Sequence, residues 1–334
     1  MSAFDRLDPL VQHHIVNSIG WRSLRPLQEQ CIGPILDGKH CLLLAPTAGG
    51  KTEAAMFPIF SRMVSEKWDG LSVVYVCPLK ALLNNLHQRL SHYAGFLGRT
   101  CDVWHGDVST SRKDNIRDTP PDILLTTPES LEGMLVSANP LGRQMLVTAR
   151  VVVVDEIHAF AGDDLGWHLL SVLERAGRIA GRELQRIGLS ATVGNPEALL
   201  TWATGHCAGE REVVAPIVVE TKSPEVTLDY VGSLENAALV ISRLHRGEKR
   251  LVFCDSRSRV EELARYLRGH GVETYLSHSS LSIEERRSAE KAFAESRNCV
   301  IVSTSTLELG IDVGDLDRVI QIDAPNSVAS FLQR

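Results

Sequence analysis

Two short apolar runs, each ending in residues suited to phosphate or metal, constrain the fold more than any other feature. Cys41-Leu42-Leu43-Leu44 leads into Ala45-Pro46-Thr47-Ala48-Gly49-Gly50-Lys51-Thr52, and a helix-like stretch follows from Glu53. Val151-Val152-Val153-Val154 leads into Asp155-Glu156-Ile157-His158. The first has the order strand, glycine-bearing loop, helix, in which backbone N–H groups and a helix N-terminus point at phosphate. The second places two carboxylates directly after a buried strand. An isolated Asp-Glu would read as a solvated turn; beside a phosphate loop it reads as the metal- and water-holding half of the same site.

The rest of the chain repeats this rhythm. Runs rich in β-branched residues at 41–44, 72–77, 123–126, 151–154, 186–190, 251–254, 299–303 and 318–323 read as strands. Helix-like segments lie at 51–66, 80–96, 165–179, 257–270 and 283–295. Alternation of this kind predicts parallel sheets flanked by helices, with functional loops at the carboxyl ends of the strands. The phosphate loop, the Asp-Glu pair and Ser190-Ala191-Thr192 all fall there. With 334 residues the chain suits two domains. The rhythm breaks near 205–225, at Gly205, Gly209, Pro216 and Pro224, so the expected domains are 1–215 and 216–334.

Composition narrows the partners. No run approaches the roughly 18 uncharged apolar residues of a membrane span, and Met1–Arg6 lacks the basic-then-apolar order of an export signal. The expectation is a cytoplasmic protein. The seven cysteines form no Cys-x-x-Cys pair and lie partly within apolar runs, as buried reduced thiols do. Net charge is −6, and both halves are mildly acidic: 20 Lys and Arg against 24 Asp and Glu in 1–220, and 15 against 17 in 221–334. A nucleic-acid partner is therefore not predicted by bulk charge and must rest on local groups.

At the first site, Lys51 suits the β- and γ-phosphates and the Thr52 hydroxyl suits Mg²⁺. Ala45 replaces the usual opening glycine of the eight-residue loop. Asp155 is expected to hold Mg²⁺ largely through its coordinated water, and Glu156 to orient and deprotonate the attacking water. His158, like His105 and His278, is ambiguous, since a histidine after a strand is more often a satisfied structural residue than a catalyst.

Taken together, these motifs resemble those of the superfamily 2 helicases, in which two RecA-like domains clamp ATP between them. Arg25-Pro26-Leu27-Gln28 is similar to the adenine-reading element, with Gln28 as the base contact. Ala45–Thr52 is similar to motif I, which implies nucleotide contacts from Ala45, Thr47, Ala48, Gly49, Gly50, Lys51 and Thr52. Ala48-Gly49 departs from the commoner Gly-Ser there. Asp155–His158 resembles motif II and Ser190–Thr192 resembles motif III, which implies that Ser190 and Thr192 couple back to motif II, with His158 sharing that role. Pro78-Leu79-Lys80 and Thr127-Pro128-Glu129 resemble strand-tracking motifs of the first domain. In the second domain Ser256-Arg257 resembles motif IV. Ser303–Asp312 resembles motif V, which implies a strand contact from Thr304 and nucleotide contacts from Gly310 and Asp312. Lys80, Arg257 and the hydroxyls of Thr127, Ser256 and Thr304 suit phosphate contacts, which read backbone and not base sequence.

Within that superfamily the details resemble the Lhr-like (large helicase-related) group. The resemblance implies ATP- and Mg²⁺-dependent 3′-to-5′ translocation on single-stranded nucleic acid, usually DNA, and opening of duplexes or RNA–DNA hybrids. The family's motif VI reads Gln-Arg-x-Gly-Arg-x-Gly-Arg, and this sequence reaches Gln333-Arg334, two residues into it. Its later arginines reach the γ-phosphate in the family, and an arginine finger is worth about 10³ to 10⁵ in turnover. The expectation is therefore an incomplete second domain, slow hydrolysis by this polypeptide alone, an uncovered apolar face near Val319–Ile322, and further domains downstream in a parent protein. The alternative reading is a nucleotide- and nucleic-acid-binding module that does not hydrolyse.

Overall fold

In the computed structural model, residues 2–46, 49–162, 164–191, 193–216, 225–278, 281, 285, 289, 295–304 and 316–324 are described. The chain divides into two compact units, Met1–Val218 and Val219–Arg334.

The first unit carries a seven-stranded sheet in the order β3-β4-β2-β5-β6-β1-β7. The strands are β1 (His40–Leu44), β2 (Val73–Val76), β3 (Cys101–Trp104), β4 (Ile123–Thr126), β5 (Val151–Val154), β6 (Gln185–Ser190) and β7 (Arg211–Val214). Every pairing is parallel, with Cys41 opposite Ile187 and Val151 opposite both Val73 and Gln185. Parallel strands need helical crossovers, and these cover both faces, so the central strands are buried throughout and read as unbroken apolar runs. Burying each such Val or Leu contributes about 1.5–3 kcal/mol. Leu42, Val74, Val76, Val152 and Val154 share one core cluster with Leu169, Val172 and Leu173 from the Asp164–Ala180 helix.

The second unit carries a four-stranded parallel sheet in the order β11-β8-β10-β9 among the described residues. Its strands are β8 (Arg250–Phe253), β9 (Thr274–Ser277), β10 (Val300–Ser303) and β11 (Arg318–Gln321). Val252, Val300 and Val302 pack with Ala238 and Ile241 of the Leu234–Arg243 helix and Val260, Leu263 and Leu267 of the Arg257–Gly269 helix. At the outer strand β11, Val319 is 41% exposed while Ile320 and Ile322 pack against that cluster.

The two-domain parallel α/β expectation describes both sheets. Three strands had no counterpart in the sequence reading: β3, β7 and β9. Each is an outer strand of its sheet and only partly buried. The expected helix over 283–295 falls mostly outside the described residues. All seven cysteines are free thiols, with Cys101 and Cys207 half-buried and the others buried.

Candidate nucleotide site

The carboxyl ends of β1, β2, β5 and β6 form the floor of the site. The Ala45 N–H donates to the Ser190 carbonyl at 3.2 Å, and the Asp155 N–H to the Val76 carbonyl at 2.8 Å, so motifs far apart in sequence are held at one sheet end. The Lys51–Ser65 helix starts at Gly50, whose φ of 79° and ψ of 28° place it in the left-handed region that glycine tolerates best. A Cβ at Gly50 would also lie 2.5 Å from the Gln28 amide nitrogen. A Cβ at Gly49 would lie 2.7 Å from the Ala45 methyl and 2.8 Å from the Pro46 carbonyl. Both glycines are therefore required by the loop's tight path.

Gln28 is buried, and its side chain spans two backbones. Its amide oxygen accepts from the Arg25 N–H at 2.9 Å, and its amide nitrogen donates to the Gly50 carbonyl at 3.4 Å. The residue expected to read adenine thus also ties the Pro26–Leu36 helix to the loop. Lys51 is buried too, and its ammonium donates to the Ala45 and Pro46 carbonyls at 2.9 and 3.2 Å. Thr47, Ala48 and Thr192 lie outside the described residues, as do Gly310 and Asp312.

Across the floor, Asp155 accepts from the Tyr75 phenol at 2.9 Å on Oδ2 and from the Glu156 N–H at 2.9 Å on Oδ1. Burial raises the Asp155 carboxyl above its usual range, and the Tyr75 hydrogen bond opposes that. Glu156 has φ 45° and ψ 45°, a left-handed conformation that costs a non-glycine residue free energy and turns the chain sharply after β5. Burial pushes its carboxyl up to about 7, and the neighbouring Asp155 charge adds to the shift. A carboxylate held near neutrality matches the demand on a general base.

His158 joins the Asp-Glu pair to β6. Its Nδ1 lies 2.8 Å from the fully buried Ser190 hydroxyl, and its Nε2 lies 3.6 Å from the Glu156 carboxylate. That Nε2 is buried with no hydrogen-bond partner among the described residues. Burial, with the Lys51 charge adding to it, pushes the ring down to about 4, so it is neutral at physiological pH.

Two residues that sequence reasoning missed stand in this network. Tyr75 sits fully buried in β2, inside an apolar run where it looks like core. Arg89, from the Lys80–Phe96 helix, donates to the Thr52 hydroxyl at 2.9 Å and lies 3.4 Å from the Glu53 carboxylate. Neither has a local signal, because each acts through a partner more than twenty residues away.

The expected strand contacts occupy other loops. Lys80 pairs with Asp107 at 2.8 Å beside Gly106, and Pro78 is half-buried just before it. Thr127 caps the Pro128–Val136 helix by accepting from the Ser130 N–H at 3.4 Å, with Glu129 exposed in its first turn. In the second unit Ser256 caps its helix by accepting from the Arg259 N–H at 3.4 Å, and Arg257 is exposed. Thr304 follows β10 and donates its N–H to the Ser277 carbonyl at 3.3 Å. His105 and His278 are buried: Nδ1 of His105 accepts from the Asp107 N–H at 3.2 Å, and Nε2 of His278 faces Glu261 at 3.6 Å.

The donor set fits a magnesium nucleotide. The Thr52 hydroxyl and Asp155 carboxylate are hard oxygen donors of the kind Mg²⁺ takes, and the Lys51–Ser65 helix presents its N-terminus at the loop.

Comparison with known proteins agrees with this geometry. The DEAD/DEAH box helicase family matches residues 25–199, and the helicase conserved C-terminal domain matches residues 233–334. The chain is 33% identical over 368 residues to the "Lhr helicase/ probable uracil glycosylase" of Mycolicibacterium smegmatis, covering 92% of this chain and 24% of that protein. It is also 33% identical to the "ATP-dependent helicase Lhr-Core" of Methanothermobacter thermautotrophicus, covering 92% and 39%. The chain thus spans less than half the length of these relatives. The solved structure of Mycobacterium smegmatis helicase Lhr bound to ssDNA and AMP-PNP superposes with a TM-score of 0.83 at 33% identity, covering 100% of this chain and 46% of that one. The chain is a superfamily 2 helicase core that belongs to the DEAD/DEAH box helicase family and is of the Lhr-like type.

Proposed function

We propose that this core couples ATP hydrolysis to 3′-to-5′ movement along single-stranded DNA and opens duplexes or RNA–DNA hybrids ahead of it. The observation that carries the reading is the convergence of Lys51, Thr52, Asp155, Glu156 and the His158–Ser190 pair at one sheet end. The roles follow from the chemistry of each group. The Lys51 ammonium leaves the Ala45 and Pro46 carbonyls for the terminal phosphates, while the helix N-terminus and loop N–H groups hold the rest of the chain of phosphates. Thr52 and Asp155 would hold Mg²⁺, which would supply charge neutralisation on the phosphate oxygens. Glu156 takes the proton from the attacking water. His158, neutral and tied to Ser190, reports the state of the Asp-Glu pair to β6.

The partner reading rests on Lys80, Thr127 and Pro128 in the first unit and on Ser256, Arg257 and Thr304 in the second, together with the ssDNA that the Mycobacterium smegmatis relative holds. Mixed hydroxyl and cationic contacts to phosphate suit an acidic chain, since they grip backbone without a basic field.

Glu156→Gln tests the enzyme reading against a binding module that does not hydrolyse. General-base loss should lower single-stranded-DNA-stimulated turnover by about 10²–10⁴ while nucleotide affinity stays within a few-fold. Equal loss of both, or no measurable turnover in the unaltered chain, would sink the enzyme reading.

A further inference from the structure

The two residues expected to hold the metal, Thr52 and Asp155, arise from different strand ends and need a fixed spacing. Tyr75 holds the second of them. Its side chain is completely buried in β2, and its phenol donates to Asp155 Oδ2 at 2.9 Å. Thr52 Oγ1 accepts from the Arg89 guanidinium at 2.9 Å.

A hydroxyl has one proton and two lone pairs. At Thr52 the guanidinium takes one lone pair and leaves the other for a metal ion. At Asp155 the phenol takes one position on Oδ2 and the Glu156 N–H one on Oδ1, so the carboxylate cannot rotate. A buried tyrosine needs a partner for its hydroxyl, and this one has the carboxylate expected to hold the metal.

We infer that Tyr75 is a positioning residue that sets the orientation of the Asp155 carboxylate for a divalent cation. This rests on the proposed nucleotide site and deepens it. Removing outer partners of metal-holding groups costs about 10–100-fold in metal affinity.

The test is Tyr75→Phe, which keeps the ring that fills the core. A fluorescent ADP analogue is bound to the full chain in EDTA and then across a Mg²⁺ titration. The expected result is an affinity in EDTA within about twofold of the unaltered chain and a Mg²⁺ requirement raised about tenfold. In an Asp155→Asn background the same substitution should change the Mg²⁺ requirement less than twofold, because its target is already gone. Equal losses with and without Mg²⁺ make Tyr75 a scaffold residue and overturn the inference, as does an unchanged Mg²⁺ requirement. Failure of the unaltered chain to bind the analogue overturns the nucleotide site itself, and this inference falls with it.

Discussion

The two ends of the seven-stranded sheet bury similar groups and use them in opposite ways. At the amino ends, His40 is 1% exposed and both its ring nitrogens have partners. Its Nδ1 accepts from the Arg186 N–H at 2.9 Å, so its proton sits on Nε2, which donates to Glu183 at 2.9 Å. Glu183 also accepts from the Ala208 and Gly209 N–H groups at 2.7 and 2.9 Å, and the Arg186 guanidinium is held by Glu174, Ala203 and Thr204. Cys207 lies close enough to His40 and Glu183 to suggest a three-donor metal cluster, yet the imidazole has no lone pair left to give. At the carboxyl ends, Glu156 is held in a left-handed conformation, its carboxyl is pushed up to about 7, and His158 keeps a buried Nε2 without a hydrogen-bond partner among the described residues. Burial of charge is common to both ends. Incomplete satisfaction separates them, and it marks the end where chemistry is proposed.

The comparison breaks if the two histidines behave alike. His40→Ala should cost the most, about 2–4 kcal/mol of stability, because it opens a cavity and strands the Arg186 N–H. Urea unfolding measures this, and turnover per folded molecule should stay unchanged. His158→Ala should reverse the pattern: strand-stimulated turnover falls about tenfold, or about 1.4 kcal/mol, with less than 1 kcal/mol lost in unfolding. Equal stability losses from the two substitutions would end the distinction.

A smaller effect sharpens it. Burial lowers the His40 pKa below its ordinary 6.5, so the fold holds the neutral ring and the unfolded chain takes up a proton first. The stability His40 supplies is therefore complete above pH 6.5 and declines as pH falls below it towards the lower folded value. Between pH 7.5 and pH 5 the unaltered chain should lose more stability than His40→Ala does. An identical pH dependence in the two chains would mean that the His40 ring does not titrate on unfolding.

Much of the site was legible because chemistry at a strand end leaves a local mark. Gly50-Lys51-Thr52 and Asp155-Glu156 each follow a run buried on both faces, and the same runs gave the central strands to within a residue or two. The outer strands β3, β7 and β9 left no such mark. They hold residues such as Asp102, Arg211 and Glu212 because one side of each is unpaired or half-covered. Tyr75 was invisible for the opposite reason: in Val73-Val74-Tyr75-Val76 a tyrosine that donates to the Asp155 carboxylate has the same sequence context as one that fills space. Arg89 and Glu183 read as ordinary surface charges. Their partners, Thr52 and His40, are distant in sequence and meet them through helix and loop packing.

The amino-acid sequence by itself determined the order of the central strands and their flanking helices, the class of the loop at Ala45–Thr52 and the presence of an acid pair after β5, since these follow from local patterning and side-chain type. The tertiary structure decided the strand order in each sheet, the tie from Gln28 to Gly50, the His158–Ser190 bond, and the bonds from Tyr75 to Asp155 and from Arg89 to Thr52. Those features depend on which groups burial brings together and on whether each finds a partner there, and no window of neighbouring residues contains that information.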